Sequence, residues 1–184
     1  MTKRILTVAL VLLLCVTAGA FAKELKSSQI PWLVSYNSAG QSEVSVGAGW
    51  TEFGLGASAT WGTTFGQFSL GPIPLSWGLN VVANAGFTFD VGIAAGAFIG
   101  IEWGFDFGQS AKFEFQVGIG PGLAFDVVPY WYSYWGAFGA GIGEYSSGTW
   151  WFSNNMGLTL QDVWVSTFLG PSLYNYTLGL EWKL

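Results

Sequence analysis

From Leu75 to Phe107, apolar residues fill nearly every odd position and small or polar residues nearly every even one. The odd set includes Leu75, Trp77, Leu79, Val81, Phe87, Val91, Ile93, Ile99, Ile101, Trp103 and Phe105, while Ser76, Gly78, Asn80, Gly92, Gly96, Gly100, Glu102 and Asp106 fall between them. Side chains of a β-strand alternate between its two faces, so this period of two gives one greasy face and one nearly bare face. At about 3.3 Å per residue the block is several membrane thicknesses long and must reverse, which we place at Thr88 to Asp90.

The same alternation predicts eight strands, at 41–50, 53–69, 75–87, 90–107, 112–127, 135–145, 149–161 and 172–184. A change of parity after Trp50 predicts a tight turn at Thr51-Glu52, with Trp50 facing Phe53. Gly71 to Pro74, Gly108 to Ala111 and Ser146 to Gly148 read as further turns, and Gln161 to Pro171 as a longer loop. Tyr130 to Trp135 reads as an aromatic loop or interfacial stretch. Pro121, which has no backbone donor, predicts a bulge or a strand end. Gly92, Gly96, Gly100 and Gly104 also satisfy a helix-packing spacing, but a spacing of four is two periods of two. A helix would scatter the odd–even pattern around its surface.

Composition turns this pattern into a membrane reading. Only 9% of residues are charged and 18% are aromatic, so no strand carries the charged outer face of a soluble sheet. The fold class expected is all-β, a transmembrane antiparallel up-and-down barrel with bulky residues toward lipid and small ones inward. Trp50, Trp61, Trp77, Trp103, Trp150, Tyr174 and Trp182 fall near strand ends and suit aromatic girdles at the two interfaces.

The first 22 residues read as a cleaved secretory signal: basic Lys3 and Arg4, an apolar stretch from Ile5 to Val16, and Ala20-Phe21-Ala22. A lipid anchor on Cys15 is the competing reading, with Leu14 in place of the usual small residue before it. Residues 23–40 are then an N-terminal arm and 41–184 the barrel. From Lys23 onward the chain has no cysteine and no arginine, and four lysines against eleven acids leave a formal charge of −7. Disulfides and thiolate chemistry are excluded, and nucleic acid finds no clustered positive charge.

The closing residues Thr177-Leu178-Gly179-Leu180-Glu181-Trp182-Lys183-Leu184 resemble the C-terminal signal of bacterial outer-membrane barrels, with Thr177, Gly179, Trp182 and Leu184 at its specified positions. Leu184 stands where phenylalanine is usual. With the leader and eight strands, the chain is similar to the small OmpA-domain, OmpX and OmpW class. That resemblance implies residence in the bacterial outer membrane, contact with its lipid and recognition by the barrel-assembly machinery.

Candidate chemistry is sparse. Without histidine the commonest general base is missing, and the glycine clusters 118–122 and 139–143 lack the helix and basic residue of a phosphate loop. The chain reads as a non-enzyme that needs no cofactor and no metal. Asp90, Glu102, Asp106, Glu114 and Asp126 fall on the small face, and Asp106 is expected opposite Glu114 across the Gly108 turn. The bare inner face leaves three alternatives: an open lumen, a lumen plugged by the 23–40 arm, or walls that nearly touch. An open acidic lumen implies a small pore for cations or small solutes. The competing function is a surface protein, adhesin or structural component, acting through aromatic outer loops. A soluble lipid-binding barrel would need its greasy face turned inward.

Overall fold

A computed structural model describes residues 31–35, 37–51, 54–87, 91–108, 111–130, 133–169 and 172–184, with backbone alone at 127–130 and 133–136. The expected leader, half of the arm (23–30 and Tyr36) and Asp90 lie outside the described residues. The strands are β1 (Leu33–Val34), β2 (Ser42–Thr51), β3 (Gly54–Leu70), β4 (Ile73–Phe87), β5 (Val91–Asp106), β6 (Lys112–Tyr130), β7 (Ser133–Trp151), β8 (Met156–Thr167) and β9 (Leu173–Lys183). Strands β2 to β9 pair with their sequence neighbours, and β9 returns to β2, so eight antiparallel strands form a closed ring. The chain is an up-and-down barrel, and the helical alternative falls: Gly92, Gly96, Gly100 and Gly104 all lie in β5.

Closure matters because in lipid an unpaired edge leaves backbone donors and acceptors unmet at several kcal/mol each. The seam is continuous from Glu43↔Lys183 to Thr51↔Asn175. Its strands bend so sharply that inward positions have almost no room. A Cβ built on Gly179 would lie 2.1 Å from the Val46 carbonyl oxygen, and one on Gly49 would lie 1.9 Å from that of Tyr176. Glycine here is what lets two backbones come this close.

The exterior is apolar around the ring, with Val46, Leu55, Val81, Ile93, Ile99, Ile119, Phe138, Leu160 and Leu178 all exposed. An apolar surface of that extent belongs in lipid. Trp61, Val44 and Trp182 sit side by side across three strands near one end, and Trp50 pairs with Tyr176 near the other, as two girdles require. Leu178→Arg would put a charge into the lipid-facing wall. It is expected to destabilise the barrel by about 2–4 kcal/mol, read from denaturant unfolding in lipid vesicles.

Five expectations change. Ser146 to Gly148 is not a turn: β7 runs through to Trp151, and the reversal lies at 152–155. The 161–171 loop is mostly strand, since β8 continues to Thr167. The aromatic stretch at 130–135 is the end of a hairpin, with Tyr130 in β6 and Ser133 opening β7. Trp50 faces Leu55 and Thr51 faces Gly54, so the tip of that hairpin is 52–53, outside the described residues. Pro121 neither ends β6 nor shifts its register. The β5–β6 ladder breaks between Gly96↔Gly122 and Ile99↔Ile119 and resumes in step, the cost of one missing donor. The register shift falls instead between Thr64 and Gly66 on β3.

Candidate functional site: the packed lumen

The inner face is not empty. Phe98, the one large residue on the small face of β5, is fully buried and stacks on Tyr145 at 6.1 Å between ring centroids. A Cβ on Gly96 would lie 2.3 Å from the Phe98 ring, and one on Gly143 would lie 2.8 Å from it. These glycines mould a pocket for one aromatic ring. Val82, Ala94, Ala124, Val163, Val165 and Leu173 complete an apolar core in the half of the lumen away from the chain termini. An eight-stranded barrel is just wide enough for side chains to fill, and this one is filled.

Below the rings lies a polar layer. Ser58 Oγ and Thr177 Oγ1 share a hydrogen bond of 2.7 Å, and both Ser58 and Thr60 donate to Gln161 Oε1 at 3.3 Å. The Gln161 amide in turn donates to Ser45. Buried hydroxyls and amides are costly unless paired, and here they pair with one another across the lumen.

At the terminal end the acids gather. The chain enters beside β5, where Leu33 pairs with Phe105 and Trp32 stacks on Phe105 at 5.6 Å. β4 and β5 pair no further toward this end than Ser76↔Glu102, and Ser35 bonds Ser76 there at 2.7 Å between hydroxyl oxygens. Asn37 is then fully buried, donating to Glu114 Oε1 at 2.9 Å and accepting from Lys183 Nζ at 2.7 Å. Ser35 and Asn37 therefore stopper this end of the lumen.

Glu114 sits at the centre. Besides Asn37 it accepts from Trp151 Nε1 at 2.8 Å, Gln116 Nε2 at 3.2 Å and Lys183 Nζ at 3.1 Å. Lys183 also lies 3.5 Å from Glu43 Oε1 and 4.4 Å from the centre of a Trp151 ring. Gln116 donates to Glu43 Oε2 at 2.9 Å, and Ser76 donates to Glu102 Oε1 at 2.9 Å. One oxygen each from Glu43, Glu102 and Glu114 can be chosen so that all lie within 4.8 Å of one another. A fourth acid, Glu181, is also buried and accepts from Thr149.

The structure thus regroups the five expected acids. Glu102 and Glu114 are buried lumen groups. Asp106 is not opposite Glu114: the register pairs it with Lys112, whose ammonium lies 4.0 Å away, and Gly104 faces Glu114. The correction follows from the turn, because Phe113 faces Phe105 and not Phe107. Asp126 is twelve residues along β6 from Glu114, toward the opposite end of the barrel, paired with Gly92 and Ala137. Glu43 and Glu181 belong to the inner set although neither was counted in it. The parity of Val44 and of Leu180 already turned both inward.

The four residues of the closing signal take distinct places. Thr177 is buried in the polar layer and Gly179 lies at the tight seam. Trp182 pairs with Val44 and Met156, and the exposed Leu184 donates its N–H to the Ser42 carbonyl at 2.9 Å.

No protein-family model and no curated protein matches the chain. Among solved structures it is similar to Ail, the attachment invasion locus protein of Yersinia pestis, at 12% identity and a TM-score of 0.44, covering 79% of this chain and 99% of that one. It is also similar to Neisserial surface protein A, at 13% identity and a TM-score of 0.45, covering 78% of this chain and 95% of that one. Designed transmembrane β-barrels match at 13% identity and a TM-score of 0.42, over 80% of this chain and 98% of theirs. At such identities the likeness is one of architecture and carries nothing about activity.

Proposed function

We propose that this chain is an integral outer-membrane barrel that does not conduct and acts at the cell surface through its longest hairpin, β6–β7. The observation that carries this reading over a cation pore is the packed lumen. Rings fill one half and a hydrogen-bonded stopper fills the other, and the void beside the acids holds only about 10 Å³, about one water. A pore would require Asn37 and Lys183 to leave together, breaking three charge-assisted bonds at once. The same packing supports a non-enzymatic role, since Glu43 and Glu102 line only that water-sized void.

The hairpin supplies the surface. Its ladder continues to Tyr130↔Ser133, while β5 stops at Val91↔Val127 and β8 at Gly141↔Thr167. Among the described residues, β8 offers no ladder partner to 133–139, so this stretch of β7 runs past the β8 ladder as a candidate docking edge, in a sequence rich in aromatic residues. Unpaired strand edges are templates for adding another strand.

Planar-bilayer recording of the folded protein tests the closed lumen. No current above the lipid baseline is expected across repeated insertions. Recurrent cation-selective steps would replace this reading with the pore. Orientation is tested separately in intact cells with single cysteines: Ser133→Cys is expected to label from outside and Ser153→Cys is not. The reverse pattern would put the hairpin in the periplasm and end the surface reading.

A further inference from the structure

We propose that Glu43, Glu102 and Glu114 form a binding site for a calcium-like divalent cation at the terminal end of the lumen, a role that goes beyond the surface reading. Four features converge there. The three carboxylates come from β2, β5 and β6, are all buried, and bring oxygens within 4.8 Å of one another. Oxygen ligands of Ca²⁺ lie at about 2.3–2.6 Å, so two of them on opposite sides of the ion are about 4.6–5.2 Å apart. Carboxylate and amide oxygens with no nitrogen or sulfur suit a hard cation rather than zinc or copper.

Gln116 gives an independent sign. It is about 95% buried, and its amide nitrogen is spent on Glu43 and Glu114. Its Oε1 is buried with no hydrogen-bond donor. A carbonyl oxygen left so in a polar interior forfeits about 1–3 kcal/mol unless an ion or water meets it. Gln116 lines, together with Glu43 and Glu102, a void of about 10 Å³. That is the space of a single water or bare ion.

Charge completes the argument. When ionised, the three carboxylates exceed the one ammonium of Lys183 by two charges, which a divalent ion balances, and Glu181 is a further buried acid within electrostatic reach of Glu43 and Glu114. Lys183 then acts as a built-in competitor, holding Glu43 and Glu114 from the side nearest the end of the chain.

Trp151 makes the test direct, because its indole N–H donates to Glu114 and can sensitise a bound lanthanide. The protein folded in detergent micelles is titrated with Tb³⁺ under tryptophan excitation, then back-titrated with Ca²⁺. One saturable class of sensitised emission is expected, displaced by Ca²⁺. Glu102→Gln should weaken it by at least the roughly 10–100-fold that losing an outer-shell partner costs, and Asp106→Asn at the surface should leave it unchanged. Lys183→Gln should tighten it about tenfold, the equivalent of about 1.4 kcal/mol. Absence of sensitised emission from the folded barrel, or emission indifferent to Glu102→Gln, overturns the site. If Glu102→Gln gives no compact heat-modifiable band on gels, Lys183→Gln decides, and an unchanged or weaker affinity in that variant overturns the proposal.

Discussion

Removing Trp182, Lys183 and Leu184 is expected to leave a chain that cannot fold into the membrane. The cut takes the last two rungs of the β2–β9 seam, Val44↔Trp182 and Glu43↔Lys183, and the bond from the Leu184 N–H to Ser42. It also removes the ammonium that Asn37, Glu43 and Glu114 surround. Stripping one partner from a buried charge pair typically costs about 3–5 kcal/mol, and here two carboxylates lose it together. We further propose that the lost residues are read by the barrel-assembly machinery, through Thr177, Gly179, Trp182 and Leu184. The check is a compact, heat-modifiable band on gels, first from cells and then after refolding of the purified chain. Loss in both is the expected outcome. Loss in cells alone would mean that the tail serves recognition and not closure, and a band in both would show that the seam does not need these rungs.

Phe98→Ala should be the most damaging single truncation in the lumen. Its ring is fully buried, stacks on Tyr145, and sits among glycines that have no side chains with which to fill its space. Phenylalanine-to-alanine changes in packed cores cost about 3–5 kcal/mol, and the upper end belongs to sites that cannot collapse. The ring of paired strands holds this wall open, so little relaxation is available. Denaturant unfolding in lipid vesicles reads the loss directly. A cost below about 1 kcal/mol would mean that the ring supports nothing.

The outward face was legible wherever bulky apolar residues met small inward ones, which is why 75–107 and 172–184 read correctly as strands. The rule fails on β7 and β8, and for a physical reason. On β7 the outward positions include Glu144, Ser146 and Gly148 while Tyr145, Ser147 and Thr149 turn inward, so the apolar alternation lapses and a strand imitates a turn. On β8 the polarity inverts. Val163 and Val165 are buried in the lumen core, and Asp162, Trp164 and Ser166 take the outward parity. A pattern of greasy-out and small-in cannot foresee a lumen that itself has an apolar half.

The acid cluster was half legible. Parity alone turns Glu43, Glu102, Glu114 and Glu181 inward, but only the three-dimensional register brings β2, β5 and β6 to one level. Register depends on the turn between Phe107 and Lys112, and one pair of slip there moved Asp106 from Lys112 to Glu114. The stopper showed in the sequence only as one of three alternatives for the bare lumen, a plug from the 23–40 arm. Its role rests on Asn37, whose amide reaches across the lumen to residues far away in the chain. The glycines were legible as small and misleading as empty, because their neighbours' rings fill the space.

The central claim, a barrel closed by its first and last strands in a fixed register, has a direct chemical test. Val46 and Leu180 face each other across the β2–β9 seam, both exposed on the lipid side. Opposed residues of an antiparallel pair have Cα atoms about 4.5–5.5 Å apart, within the range a disulfide spans. A chain beginning at Lys23, free of other cysteines, carries Val46→Cys and Leu180→Cys, is folded in detergent and is then mildly oxidised. The account predicts a rapid intramolecular cross-link in the compact, heat-modifiable form and far less in a control that pairs Val46→Cys with Leu160→Cys. Cross-links only between molecules, or equal yields from the two pairs, would contradict it.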